Sequence, residues 1–206
     1  MPANEGLKRL QELGEGFSSS RLSLILLRHS DHDKGIITPQ GVAIVQNAAS
    51  KIINRYLGNE QIHFQIGYSP TAIEDQLRAK NTGLVLSDAL VSLSQGKFIA
   101  RSVVMKPWLH GEFSDDELKS ESERADRLDN IAASYLVIEA RKANFLQLGG
   151  KFAFIWVTHS EVLVPWLRTH GAYFDLNEEM PHADPVFVTA QMGRLKIDYS
   201  KKITVS

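Results

Sequence analysis

An α/β fold, a three-layer α/β/α sandwich on a mostly parallel sheet with a C-terminal antiparallel hairpin, is predicted by three observations on this 206-residue sequence. Short apolar runs alternate with segments whose apolar residues recur at helical spacing. Two of those runs, Leu22 to Leu27 and Phe152 to Val157, lack polar alternation, as strands covered on both faces of a parallel sheet require. At the end of the chain, Val186 to Gln191 and Arg194 to Tyr199 are separated only by Met192-Gly193, which reads as a hairpin turn.

The elements follow in order. Leu7, Leu10 and Leu13 suggest a short amphipathic helix within residues 1–20, followed by the flexible Gly16-Phe17-Ser18-Ser19-Ser20. The first strand stops abruptly at Arg28-His29-Ser30-Asp31-His32-Asp33, a polar loop. Thr38-Pro39 then offers an N-cap with proline at the first helical position, and Val42, Val45, Ala49, Ile52, Ile53 and Tyr56 carry a helix towards Gly58. Ile62 to Tyr68 reads as a strand, Ser69-Pro70 as a turn, Ala72 to Leu90 as a helix and Phe98 to Met105 as a further strand. Ser114 and Glu117 have capping-box spacing and open a polar helix that runs, with a break, to about Leu148, where Gly149-Gly150 stops it. After the second apolar strand come Thr158-His159-Ser160 and the helix Val162 to Leu167. Residues 1–20 are therefore expected to be a helix and linker, and residues 21–206 a single domain.

Composition narrows the function. The chain is 43% hydrophobic, with 23 basic and 24 acidic side chains and a formal charge of −1, so no global field draws it to nucleic acid or an anionic membrane. Any anion it binds must be held by a local cluster. With no cysteine there is no disulfide framework and no thiolate metal site, which fits a reducing compartment. No apolar run reaches the length of a membrane span, and the first 20 residues, with Glu5, Glu12 and Glu15, do not read as a secretory signal. The expected location is cytoplasmic.

Ligands of open parallel sheets gather outside the carboxyl ends of the strands, where helix N-termini present free N–H groups. Arg28, His29 and His159 all fall there. A single histidine after a strand is adequately explained as a turn or capping residue. Two, one of them beside an arginine, each between a buried strand and a helix, are not.

On these residues the sequence resembles the histidine phosphatase superfamily, the phosphoglycerate-mutase-like enzymes. Leu26-Leu27-Arg28-His29-Ser30 is similar to the family's strand-terminal Arg-His-Gly, with Ser30 in place of glycine. Thr38-Pro39-Gln40-Gly41 resembles the Thr-x-x-Gly that opens its first helix, and Tyr68-Ser69-Pro70 its Ser-Pro turn. Arg78-Ala79-Lys80-Asn81-Thr82 resembles its Arg-Ala-x-x-Thr helix, and Thr158-His159-Ser160 its second histidine motif, again with serine for glycine. The resemblance covers most of the chain in order. It implies a phosphohistidine mechanism in which His29 attacks the phosphoryl group, an acid protonates the leaving oxygen and water hydrolyses the phosphoenzyme. Arg28 and His159 would then hold the phosphate, the guanidinium as a fork and the imidazole as a further donor at a helix N-terminus.

Two departures bear on the other roles. The family's second arginine lies three positions after the proline of Ser-Pro; here that place is Ile73, and Arg78 comes five residues later. Five helical residues turn a side chain by about 140° and advance it by about 7.5 Å, so Arg78 reaches the same phosphate only if the helix starts late. Arg78 is taken as the second phosphate-binding guanidinium, against the alternative of a solvated helix residue. Leu109-His110-Gly111-Glu112-Phe113 resembles the segment that carries the general acid, shifted by one, and Glu112 is the candidate. Asp115 and Asp116 compete, although the first turn of a helix explains both.

Asp31-His32-Asp33 invites a metal reading, but adjacent residues rarely chelate one ion, and the remaining histidines form no HxH or HExxH spacing. No metal and no cofactor is expected. The cluster reads better as a loop over the phosphate. Trp108, Trp156 and Trp166 are expected in the core and its margins, with Trp108 the one to consider for substrate contact. The function expected is a metal-independent phosphomonoester hydrolase acting on a small phosphorylated substrate or a phosphoprotein, its oligomeric state open. The alternatives are a mutase-like phosphotransferase and a catalytically inactive member that binds phosphorylated ligands or a protein.

Overall fold

The first strand, β1 (Leu22–Arg28), is buried along its first six residues, and β6 (Lys151–Thr158) from its second residue to its last. Such strands form only where both faces of a sheet are covered. This computed structural model of the chain describes residues 5–12, 22–56, 61–69, 76–106, 109, 121–145, 151–175, 178–191 and 194–199. The main sheet has the order β5-β4-β6-β1-β7-β8, with β4 (Ile62–Tyr68), β5 (Phe98–Met105), β7 (Val186–Gln191) and β8 (Arg194–Asp198) completing it. β5, β4, β6 and β1 are mutually parallel; β7 runs antiparallel to β1, and β8 to β7.

The two-residue period of a strand divides the core in two. Leu22, Leu24 and Leu26 with Phe152, Phe154 and Trp156 face α1 (Glu5–Glu12), α4 (Glu121–Phe145) and α5 (Ser160–Thr169). Ile25 and Leu27 with Ala153, Ile155 and Val157 face α2 (Pro39–Arg55) and α3 (Gln76–Leu93). The result is a three-layer α/β/α sandwich with a C-terminal antiparallel hairpin. Each large side chain fully removed from water here contributes about 1.5–3 kcal/mol. Trp156 and Trp166 are both among them, and the Trp166 indole donates to Asp129 at 2.6 Å. Among the described residues no helix is long and apolar enough to cross a membrane.

Some element boundaries differ from the sequence reading. The polar loop after β1 contains a small hairpin, β2 (His32–Asp33) with β3 (Ile36–Ile37), turned by Lys34 and Gly35, both at positive φ. That is the two-residue turn whose twist suits paired strands, and the strands it joins are too short to show alternation. α3 continues past Leu90 to Leu93, and its described part begins at Gln76; residues 70–75 lie outside the described residues. α4 is continuous over its 25 residues, its buried Ala125, Leu128, Ala132, Ala133, Leu136 and Val137 keeping one face on the sheet, and the rest of the expected helix, 114–120 and 146–148, lies outside the described residues. The proposed Ser114 cap, the linker at 13–20 and Gly149-Gly150 lie outside the described residues.

Candidate active site

β1 and β6 are neighbours in parallel register, Arg28 opposite Thr158, so the residues that follow them emerge side by side at the carboxyl edge. His29 N donates to the Thr158 carbonyl at 2.8 Å, extending the pairing by one bond. The His29 and His159 rings consequently lie 5.1 Å apart between centroids, edge to face. Both are almost fully buried, at 7% and 5% exposure. His159 is also the N-cap residue of α5 and makes no side-chain capping bond.

The protonated nitrogen of His29 follows from its partner. Nδ1 lies 2.9 Å from the Ser30 carbonyl oxygen, which can only accept, so Nδ1 carries the hydrogen and Nε2 the lone pair. Burial holds this imidazole far below its ordinary range, to about 3. The Ser30 carbonyl opposes that shift, while His159, Arg28 and His182 add to it. His29 is a neutral imidazole near neutral pH.

The serines that replace the expected glycines are both structural. Ser30 is fully buried; its Oγ donates to the Gly41 carbonyl at 2.8 Å, and its N donates to Thr82 Oγ1 at 2.9 Å. Ser160 Oγ accepts from Met180 N at 2.8 Å.

Arg28 is mostly buried, 12% exposed, and its guanidinium is engaged from the far side of the chain. Nη1 donates to the Met180 carbonyl at 2.7 Å and Nη2 pairs with the Glu179 carboxylate. Its Nε is buried and has no hydrogen-bond partner among the described residues. Arg78 sits in the first described turn of α3, and its positive charge is one of the causes that lower the proton affinity of His32, after burial. One turn on, Asn81 donates to the Gly35 carbonyl at 3.0 Å and Thr82 holds Ser30. The face of α3 carrying 78, 81 and 82 is thus turned to the loop after β1.

Two further imidazoles border His29. His32 lies 5.9 Å away between ring centroids, its Nδ1 donating to the same Ser30 carbonyl at 2.7 Å. Its Nε2 is buried and without a partner among the described residues. His182 lies 5.8 Å from His29 and its Nδ1 donates to the His29 carbonyl at 2.9 Å. Sequence reasoning missed His182: it follows no strand and belongs to no motif, and only its position before the hairpin strand β7 returns it to β1. Asp31 does not face a metal site but accepts from Thr38 Oγ1 at 2.6 Å. Among the described residues no three His, Cys, Asp or Glu side chains are grouped as metal ligands would be.

Glu112, Asp115, Asp116, Trp108 and His110 lie outside the described residues. Leu109, three residues before Glu112, is buried, and its carbonyl accepts from Thr158 Oγ1 at 2.9 Å, beside the histidine cluster.

Fold and site together define an α/β/α protein with a histidine-rich edge at the carboxyl ends of its parallel strands. Solved structures similar to this chain include a phosphoserine phosphatase and a phosphoglycerate mutase. YhfR of Bacillus stearothermophilus is 14% identical, covering 89% of this chain and 98% of its own, with a TM-score of 0.46. Phosphoserine phosphatase of Entamoeba histolytica, in complex with 3-phosphoglyceric acid, is also 14% identical with the same coverage and a TM-score of 0.46. Phosphoglycerate mutase of Bacillus anthracis is 15% identical, covering 89% and 95%, with a TM-score of 0.44. No family model matches the sequence, and no curated protein matches it.

Proposed function

We propose that the chain is a phosphomonoester hydrolase that works through a phosphohistidine on His29. The observation that carries this reading is a neutral, buried imidazole with Nδ1 tied to a main-chain carbonyl and Nε2 left as a lone pair, 5.1 Å from a second imidazole and next to Arg28. A nucleophile needs the lone pair; a phosphoryl group carrying nearly two negative charges needs fixed donors around it. Arg28 Nε, buried without a partner among the described residues, is a donor of that kind.

In the proposed reaction His29 Nε2 attacks phosphorus, the bond to the ester oxygen breaks, and the leaving oxygen takes a proton from Glu112. Water then attacks phosphohistidine, giving a proton back to Glu112, freeing Nε2 and releasing inorganic phosphate. Arg28, Arg78 and His159 hold the equatorial oxygens, and no metal is required because their charge and donors do its work. The substrate is a small phosphorylated molecule or a phosphoprotein side chain.

The test is turnover of a generic aryl phosphate with and without a chelator, against His29→Ala. Expected are chelator-insensitive turnover in the unsubstituted protein, and background activity with no acid-labile phosphoenzyme in the variant. Glu112→Gln then separates the acid from the nucleophile. It is expected to spare nitrophenyl phosphate and to slow alkyl phosphates by about 100-fold or more, since only the alkoxide must be protonated. Equal losses on both substrates would remove Glu112 from that role.

One observation favours a second reading, a phospho-ligand binder without turnover: Arg28 already spends two nitrogens on Glu179 and Met180. Binding of inorganic phosphate with no turnover of any aryl phosphate would select it.

A further inference from the structure

Residues 178–184 grip the Arg28–His29 dipeptide by main chain and side chain together. Ala183 N donates to the Arg28 carbonyl at 3.1 Å, His182 Nδ1 to the His29 carbonyl at 2.9 Å, and the Arg28 guanidinium reaches Met180 and Glu179. The segment is fixed in turn to α5 through Met180 N and Ser160 Oγ, 2.8 Å apart. Within this set only His182 holds the His29–Ser30 peptide.

That peptide matters because of where the nucleophile's ring is anchored. His29 Nδ1 donates to the Ser30 carbonyl, one peptide further along, so the His29–Ser30 peptide joins the residue that carries the ring to the residue that anchors it. On the preceding side His29 N is held by the Thr158 carbonyl at 2.8 Å, and within the His29–Ser30 peptide itself Ser30 N is held by Thr82 Oγ1 at 2.9 Å. The His29 carbonyl is the remaining handle, and the ring of His182 closes on it.

We propose that His182 is a positioning residue for the nucleophile: its Nδ1–H holds the His29 carbonyl, fixes the His29–Ser30 peptide, and so keeps His29 Nε2 aimed at the incoming phosphoryl group. The inference rests on the phosphohistidine reading for its effect on rate, but the hydrogen bond it invokes is independent of that reading. Because Nδ1 is committed to a carbonyl, His182 acts here as a donor, a role an asparagine amide can fill from nearly the same place. A displaced attacking atom lowers the rate of the chemical step far more than it weakens binding.

The experiment compares His182→Asn, which keeps a donor near the position of Nδ1, with His182→Leu, which keeps bulk without a donor, and His182→Gln, whose amide lies nearer the position of Nε2. Turnover of an aryl phosphate, thermal midpoint and the ¹⁵N spectrum of the histidine rings are recorded for each. His182→Leu and His182→Gln are expected to lower kcat by about 10- to 100-fold with KM within about twofold, and to move His29 from one tautomer towards a mixture. His182→Asn is expected to return kcat to within a few fold and to restore the His29 signals. Should His182→Leu not fold, the contrast between Asn and Gln decides the matter. Equal losses in Asn and Gln, a change confined to KM, or no change in any variant would overturn the proposal. If the unsubstituted protein turns over no aryl phosphate, it is the phosphohistidine reading that fails, and the His29 tautomer in the variants still tests the positioning role: an unchanged spectrum in the Gln variant overturns it.

Discussion

A histidine that stays neutral in the folded chain binds its proton more weakly than it does once unfolded, and this has a consequence for stability. His29 is held at about 3 against an ordinary value of 6.5, chiefly by burial. Between those limits the unfolded chain takes up a proton that the native chain refuses, so stability falls as pH drops from about 6.5 to about 3, and below that the contribution is fully lost. His32 is shifted in the same direction, again mainly by burial. The expected outcome is that His29→Asn, whose amide can still donate to Ser30, flattens the acid side of a plot of unfolding free energy against pH. Parallel curves for the two proteins over pH 4–6.5 would show that His29 protonates freely in the native state. The same side chains show how legible the site was. His29, Arg28 and His159 announce themselves by following buried strands, whereas His182 has no such setting and enters the site only through the return of the chain before β7.

The start of α2 fits against the loop after β1 with almost no clearance. Thr38 Oγ1 accepts from Gly41 N at 2.9 Å and donates to Asp31 at 2.6 Å, capping the helix and tying it to the loop at once. A Cβ on Gly41 would lie 2.3 Å from the Asp31 carbonyl oxygen and 2.9 Å from Ile37, and the first of these is main chain that cannot swing aside. Gly41→Ala is therefore expected to destabilise the protein by about 1–3 kcal/mol, although alanine is the better helix former, and to impair the His29 site with it. A denaturant midpoint equal to or above that of the unsubstituted protein would contradict this. The cap and the proline after it were readable from Thr38-Pro39-Gln40-Gly41. The reason for the glycine was not, because it lies in the approach of a second segment. The β2–β3 hairpin escaped for a related reason: two-residue strands carry no periodicity, and Lys34-Gly35 is a weak turn signal without flanking alternation.

Across the molecule, the strand order places β1 and β6 inside and β5 and β8 at the edges. Strands buried on both faces and paired on both sides open only with the whole structure, while an edge strand can fray separately. Amide hydrogens of β6 and of the 22–27 part of β1 are accordingly expected to exchange last in a hydrogen-exchange time course, and those of β8 much earlier. Protection of β8 equal to that of β6 would mean that the hairpin and the parallel strands unfold as one unit. The strands expected to exchange last are also the two that lead into His29 and His159.

Local pattern determined the main elements and singled out Arg28, His29 and His159 as candidates. Continuous apolar runs can only be strands covered on both faces, the hairpin needs only its two strand runs and Met192-Gly193 between them, and a polar triplet ending a buried strand must emerge where ligands collect. What the sequence could not determine is which strands adjoin and what reaches the site from a distance. Hydrogen-bonded neighbours β1 and β6 are more than a hundred residues apart, and their shared register, which brings the two imidazoles to 5.1 Å, exists only in the folded sheet. The Arg28–Glu179 pair, the His182 contact with His29 and the uses of Ser30 and Ser160 are likewise long-range. Periodicity and capping act over a few residues along the chain, whereas hydrogen bonds and burial act over a few ångströms in space, and only folding converts the one kind of proximity into the other.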